Sequence, residues 1–276
     1  MTQPRLVLGL ALLLVVALSP PGRTQTAAGE KTVRGLDVDD RTIFALQVDE
    51  KKGELVDRTD RFKPVVSGGK VVEDDYLGQC LRFGDGDKNG VSVSDGGKIA
   101  FEGGFTLEVW LYLEEQGRPN PGGTLAGKIR SFWFTIKDYK LDNAWMVFPT
   151  EEVFTTNDKQ IKHFPVDSES FYGAMSIPAD RWVHLAVTYD QEMKVIRTWV
   201  DGGLDRTRYM VREGDAPLQS DPTRGIDFVR GMKNVRLGGL RLSRGARPIG
   251  PAPIMEAQVH QLPHEDKVAV CINHIA

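Results

Sequence analysis

The sequence predicts an all-β protein folded as a two-sheet antiparallel sandwich. Residues 105–113 and 182–190 support this, because their side chains alternate with the period of two that a β-strand requires. A third observation is residues 194–200, which lead into Asp201-Gly202-Gly203, a signal for a tight hairpin turn. Strands joined by turns are therefore expected throughout, with no long helix outside an N-terminal leader.

The strand at 105–113 has one wholly apolar face. That face carries Phe105, Leu107, Val109, Leu111 and Leu113, and the opposite face carries Thr106, Glu108, Trp110 and Tyr112. Residues 182–190 alternate in the same way. We expect one face of each strand to be buried in a sandwich core.

Further strands are predicted at 42–50, 80–87, 131–137 and 144–148, around 171–177, and at 235–244. Residues 65–72 are predicted to form a small hairpin around Gly68-Gly69, because two short apolar runs flank the glycine pair.

Composition agrees with one large β domain. The chain has 276 residues, of which 41% are hydrophobic and 26% charged. The formal net charge is -3, so the basic excess that phosphate binding needs is absent. Nothing therefore favours a nucleic-acid partner.

Residues 1–28 are predicted to be a signal peptide and leader. Arg5 precedes an apolar run at 6–18, which Pro20-Pro21 ends. This run is shorter than the roughly 20 apolar residues that span a bilayer. We expect a secreted, periplasmic or cell-surface protein. The alternative is an uncleaved signal anchor, through which alone the protein would contact a membrane.

The rest of the chain divides into two predicted parts. Residues 29–247 form the sandwich, and residues 248–276 form a Pro-rich strap followed by a C-terminal β-hairpin with its turn at 263–266.

Several of these segments resemble the laminin-G-like or concanavalin A-like lectin/glucanase superfamily. The similar segments are 105–110, 182–190, 199–202 and 235–239, and their order and spacing match over roughly residues 35–247. The resemblance implies a two-sheet antiparallel jelly roll. It also implies a binding or recognition module in most cases and a glycoside hydrolase or lyase in some, because a fold does not fix a function.

The carboxylate pattern of the superfamily's hydrolases is missing, so no catalytic residue is assigned. Glu108 and Glu114 are about 20 Å apart at about 3.3 Å per strand residue. Glycosidases need two carboxyl groups about 5 to 9.5 Å apart. We therefore expect a non-enzyme, although two acids from distant strands remain an alternative.

Calcium is the possible cofactor. Asp85, Asp87 and Asn89 place oxygen ligands at alternate positions, but Gly96 stands where a closing Glu is needed. A structural turn is the alternative. The resemblance implies a calcium ion shared with a late acidic strand, and that strand reads Leu240-Arg241-Leu242 here.

Two cysteines in an exported chain suggest a disulfide between Cys80 and Cys271. Closing a loop of about 190 residues could add on the order of 4 to 5 kcal/mol. Two unpaired buried thiols are the alternative.

Trp133, Trp145 and Tyr172 are the candidate ligand-binding residues. Aromatic rings cover the apolar C–H faces of sugars while neighbouring polar groups bind the hydroxyls. Core packing is the alternative role for both tryptophans. Trp110, Trp182 and Trp199 occupy core positions of the superfamily and are assigned to packing.

We therefore expect a secreted, non-catalytic recognition module that binds a glycan or an extracellular or cell-envelope protein. One alternative is a polysaccharide-active hydrolase or lyase on the same fold. The other is a structural cell-envelope protein without a small ligand.

Overall fold

The computed structural model describes residues 36–96, 98–114, 122–128, 131–146, 173–209 and 225–249. The chain divides into two compact units, Met1–Glu30 and Lys31–Ala276, and all described residues belong to the second. The predicted signal peptide and the predicted C-terminal hairpin lie outside them. The domain boundaries proposed from the sequence stay predictions.

The described residues contain strands and no helix, which confirms the all-β prediction. The strands are β1 (Thr42–Asp49), β2 (Glu54–Asp57), β3 (Pro64–Ser67), β4 (Gly69–Asp74), β5 (Gly78–Phe83), β6 (Gly90–Val93), β7 (Gly104–Leu113), β8 (Gly123–Lys128), β9 (Phe132–Lys137), β10 (Lys140–Met146), β11 (Trp182–Asp190), β12 (Val195–Val200), β13 (Gly203–Tyr209), β14 (Ile226–Arg230) and β15 (Val235–Arg244). Accordingly, no described residue belongs to a helix that could cross a membrane.

Two antiparallel sheets form the predicted sandwich. Sheet A has the order β13-β12-β11-β7-β15-β1-β2. The first half of its long strand β15 also pairs with β5, which in turn pairs with β4. Sheet B has the order β10-β9-β8-β14-β6-β3. β7 and β15 are thus central in sheet A, and β8 and β14 are central in sheet B.

The main core contains the apolar faces that the alternation predicts. Phe105, Leu107, Val109, Leu111 and Leu113 of β7 are all buried in it. Aromatic rings from the two sheets pack together there. The ring centres of Phe44 (β1) and Phe228 (β14) lie 5.7 Å apart, and those of Phe105 (β7) and Phe132 (β9) lie 5.3 Å apart. These aromatic contacts join the two layers.

The opposite face of β7 is also buried, which the alternation alone does not predict. Trp110 and Trp182 pack with Leu36, Leu77 and Cys80 in a second cluster on the outer side of sheet A. Both tryptophans are therefore packing residues, as expected, but outside the main core. Trp199 differs from the expectation, because it is only half-buried.

A buried ion pair joins Lys128 and Asp95. The Lys128 Nζ lies 2.7 Å from Asp95 Oδ2, and both side chains are completely inaccessible to solvent. The register places Lys128 opposite Phe132 and Ile226, which are both core residues. Such a pair loses the hydration of two charges, so we expect its net contribution to stability to be small.

Residues 173–177, the described part of the strand predicted around 171–177, belong to no strand. The predicted hairpin at 65–72 is also wrong. β3 pairs with β6 in sheet B, whereas β4 pairs with β5 in sheet A. Gly68, with φ of 69°, is therefore the point where the chain crosses from one sheet to the other. The hairpin after β12 is confirmed: β12 and β13 pair through Asp201 and Gly202, which both have positive φ.

Candidate functional site

A row of paired positions crosses sheet B. Trp145 pairs with Trp133, Trp133 with Gly127, Gly127 with Asp227, and Asp227 with Ser92. Residues directly opposite each other on neighbouring strands belong to one face of a sheet. We call these five positions the tryptophan row.

Gly127 lets the Trp133 ring lie close to the sheet. A Cβ atom built at Gly127 would lie 2.5 Å from Cε3 and 2.8 Å from Cζ3 of Trp133. The indole thus covers the backbone of β8, and any side chain at position 127 would displace it. Trp133 itself is half-buried, so part of the ring stays accessible to solvent.

Polar groups continue the row beyond Gly127. The Ser92 hydroxyl donates a hydrogen bond to Asp227 Oδ1, and Arg230 Nη1 donates to Asp227 Oδ2 at 3.0 Å. Ser92 is exposed, and the Arg230 side chain is 57% exposed. The row therefore presents an aromatic ring, a carboxylate, a hydroxyl and a guanidinium on one surface.

Two of the three predicted ligand-binding positions come together in this row. Trp133 and Trp145 stand opposite each other in the register of β9 and β10. Tyr172 lies outside the described residues.

The candidate calcium ligands are held by separate partners. Asn89 is buried, and its amide nitrogen donates to the carbonyl oxygens of Gly84 at 2.7 Å and Met232 at 2.9 Å. Asp85 accepts a hydrogen bond from Asn234, and Asp87 pairs with Lys233. Among the described residues, no three His, Cys, Asp or Glu side chains are grouped as metal ligands.

Asp85, Asp87 and Asn89 thus each have their own partner in the protein. The loop is also no hairpin turn, because β5 and β6 belong to different sheets. Calcium binding stays a prediction without a supporting contact.

The carboxylates on the outer side of sheet A are bound by arginines. Arg241 Nε donates to Glu108 Oε2 at 2.8 Å, and Arg82 Nε donates to Glu114 Oε1 at 2.8 Å. Hydrogen bonding from Arg82 lowers the pKa of Glu114. Burial raises the pKa of Glu108, but His184 and Arg241 outweigh this effect, so that the pKa is lowered overall. Both groups are therefore ionised at neutral pH.

Cys80 is buried in the second cluster and forms no disulfide with a described residue. Cys271 lies outside the described residues, so the predicted disulfide stays a prediction.

A comparison with known families assigns the chain. The profile of the Concanavalin A-like lectin/glucanases superfamily matches residues 85–225. The chain belongs to this superfamily. None of the curated proteins matches it.

Solved structures share the fold of this superfamily member. The binding domain of Paraclostridial Mosquitocidal Protein 1 superposes with a TM-score of 0.55 at 16% identity, covering 75% of this chain and 50% of that one. The binding domain of botulinum neurotoxin DC in complex with rat synaptotagmin II superposes with a TM-score of 0.54 at 14% sequence identity, covering 75% of this chain and 49% of that one. The ligand binding domain of botulinum neurotoxin serotype D in complex with N-acetylneuraminic acid superposes with a TM-score of 0.54 at 13% sequence identity, covering 75% of this chain and 48% of that one.

The superfamily member spans about half the length of these binding domains. At such identities the likeness shows the fold alone.

Asp227, Ser92 and Gly127 were not among the residues predicted from the sequence. They are separated along the chain from each other and from Trp133, and only the pairing of β6, β14, β8 and β9 brings them into one row. The one local signal was the alternation in residues 131–137, which sets Trp133 apart from the core-facing Phe132 and Phe134.

Proposed function

We propose that this chain is a secreted, non-catalytic recognition module that binds a glycan through the tryptophan row. The observation that carries the proposal is the half-buried indole of Trp133, which lies against Gly127, the residue paired with Asp227 on the next strand. A ring supported in this way is ordered before a ligand arrives, so little side-chain entropy is lost on binding.

The row offers the groups that a sugar ring requires. An indole covers the apolar C–H face of a pyranose, a carboxylate accepts hydrogen bonds from hydroxyl groups, and a guanidinium donates to ring or hydroxyl oxygens. Strands lie about 4.8 Å apart, so Trp133 and Asp227 are separated by about 10 Å across β8. A short oligosaccharide lying across the strands would contact both.

The lowered pKa values of Glu108 and Glu114 favour binding over catalysis. A glycosidase needs a general acid whose pKa is raised. The pKa values of both are lowered, that of Glu108 by His184 and Arg241 and that of Glu114 by Arg82 and Arg236.

Structural neighbours support recognition in general terms. One is described in complex with a sialic acid, one with a synaptotagmin, and another belongs to a toxin whose cell entry depends on two ganglioside molecules. An extracellular protein is thus the other partner class that this fold accommodates, and the tryptophan row is what favours a glycan. Export rests on the apolar segment at 6–18.

A glycan array followed by titration calorimetry on the best oligosaccharide tests the proposal. We expect Trp133→Ala to weaken binding by about tenfold or more, which corresponds to about 1.4 kcal/mol. Trp199→Ala is the matched control, because Trp199 is also half-buried but belongs to sheet A. Equal losses in both variants, or a blank array, would contradict a glycan site in the tryptophan row.

A reducing-end assay on the same glycans separates binding from hydrolysis. We expect no new reducing ends above those of a protein-free control. Release of reducing ends that survives purification of the protein would favour the hydrolase alternative.

A further inference from the structure

A second row, on the outer side of sheet A, concentrates positive charge. Lys70 of β4 pairs with Arg82 of β5, and Arg82 pairs with Arg236 of β15. Directly opposed like charges destabilise a sheet unless something compensates them. We call these three residues the basic stripe.

Buried carboxylates compensate the stripe only in part. Glu114, 6% exposed, binds Arg82 through Oε1 and Oε2 at 2.8 and 2.6 Å and Arg236 through Oε1 at 2.7 Å. Asp74, 4% exposed, lies 3.6 Å from Arg236 Nη1. Three cations thus face two carboxylates, and Lys70 forms no ion pair with any residue that the structure describes.

The two guanidinium groups are held rigidly with donors to spare. Arg82 uses Nε and Nη2 on Glu114, which leaves Nη1, and Arg236 uses Nε and Nη1, which leaves Nη2. The Arg236 guanidinium also lies 4.8 Å from the centre of the Tyr112 ring. Both side chains remain about 30% exposed.

We propose that the basic stripe binds an oxyanion group of an acidic saccharide, a sulfate ester or a carboxylate, between Arg82, Arg236 and Lys70. The three positions span two strand spacings, about 10 Å, which matches one substituted sugar ring with its hydrogen-bonding partners. Arginine held in a fixed orientation suits the planar or tetrahedral oxygens of such groups. This site lies on the other sheet from the tryptophan row and is independent of it.

Surface plasmon resonance with polymers of one backbone tests the proposal. The probes are dextran, dextran sulfate and carboxymethyl dextran, with polyglutamate as the peptide counterpart. We expect one or both acidic dextrans to bind, neutral dextran not to bind, and binding to weaken as sodium chloride is raised. Preference for the sulfate or the carboxymethyl form identifies the oxyanion.

Lys70→Gln is the decisive variant, because Lys70 is exposed and contacts neither buried carboxylate. We expect a loss of affinity of about threefold to tenfold. Lys51→Gln is the matched control, since Lys51 is an exposed lysine in the turn after β1 and is not one of the three residues of the stripe. Trp133→Ala should leave this binding unchanged, which separates the basic stripe from the proposed glycan site.

Arg82→Gln alone would leave Glu114 with fewer partners, so the paired variant Arg82→Gln with Glu114→Gln is used and its melting temperature recorded. We expect a folded protein that loses binding to the acidic dextrans more severely than Lys70→Gln. Equal effects of the Lys70 and Lys51 variants, or no binding of either acidic dextran, would overturn the proposal. Polyglutamate binding as strong as that of the acidic dextrans, and equally lost in Lys70→Gln, would overturn the saccharide assignment.

Discussion

Arg241 and Glu108 stand directly opposite each other on β15 and β7 and form a buried ion pair. Arg241 Nη1 also donates to the backbone oxygen of Asp37 at 2.7 Å, which fixes the segment before β1 against sheet A. His184 Nε2 lies 3.5 Å from the other carboxylate oxygen, and its buried Nδ1 has no hydrogen-bond partner among the residues that the structure describes. His184 and Arg241 together thus hold Glu108 in its ionised form.

Arg241→Met should destabilise the protein strongly. Removing one member of a buried ion pair leaves the other charge without its compensation, which costs about 3–5 kcal/mol. Urea denaturation followed by circular dichroism measures the free energy of unfolding.

The double variant Arg241→Met with Glu108→Met is the control for this prediction. Because both charges are removed, we expect it to recover most of the lost stability. If the single and double variants unfold at the same urea concentration, the ion pair is not the source of the effect.

Stability should fall in acid as Glu114 becomes protonated. Hydrogen bonding from Arg82 holds the pKa of Glu114 below its ordinary value of 4.5. A carboxylate with a lowered pKa contributes stability that is complete above the unfolded-state pKa and is lost as the pH falls through the folded-state value. We therefore expect the melting temperature to decline below about pH 4.5.

Glu114→Gln isolates this contribution, because the amide cannot ionise. The variant should be less stable than the wild type at about pH 7 and should lose less stability between about pH 5 and pH 3. Parallel melting curves for both proteins across that range would show that other groups cause the acid dependence.

Residues 105–113 and 182–190 could be predicted as strands because burial between two sheets imposes a local alternation. The local sequence could not decide whether residues 65–72 form a hairpin. Two short strands around a glycine pair have the same sequence pattern whether they pair with each other or join different sheets. The position between β3 and β4 is instead set by a residue distant in sequence. A Cβ atom at Gly68 would lie 2.3 Å from Asn89 Oδ1. Glycine is needed there for this approach and for its positive φ.

The candidate site could be predicted in part. Aromatic chemistry pointed to Trp133 and Trp145, and the register places these two positions opposite each other. Asp227 and Ser92 could not be chosen among the many polar residues, because the order of strands in sheet B, not sequence proximity, places them beside Gly127. The basic stripe was missed for the same reason.

Gly127→Ala should weaken glycan binding without unfolding the protein. The new Cβ atom would lie 2.5 Å from the Trp133 ring and must displace it, an overpacking that costs about 1–3 kcal/mol. We expect a change in tryptophan fluorescence and a loss of affinity in calorimetry.

Gly84→Ala is the matched control, since a Cβ atom there would have no neighbour within 4 Å. It should leave fluorescence and affinity unchanged. Wild-type affinity in a folded Gly127→Ala variant would show that the position of the Trp133 ring does not matter for the ligand.

Cys80 should be unreactive in the folded protein. Burial raises the pKa of its thiol to about 12, and the nearby Asp74 carboxylate acts in the same direction. Since the thiolate is the reactive form, a Cys271→Ser variant should take up no thiol reagent at about pH 8 until it is denatured.

Labelling the denatured, unreduced wild type then tests the predicted disulfide. A bridge to Cys271 leaves no thiol to label, whereas two labelled thiols would rule the bridge out. Rapid labelling of the folded Cys271→Ser variant would contradict the burial of Cys80 beneath Trp110 and Trp182, and with it the packed second cluster on sheet A.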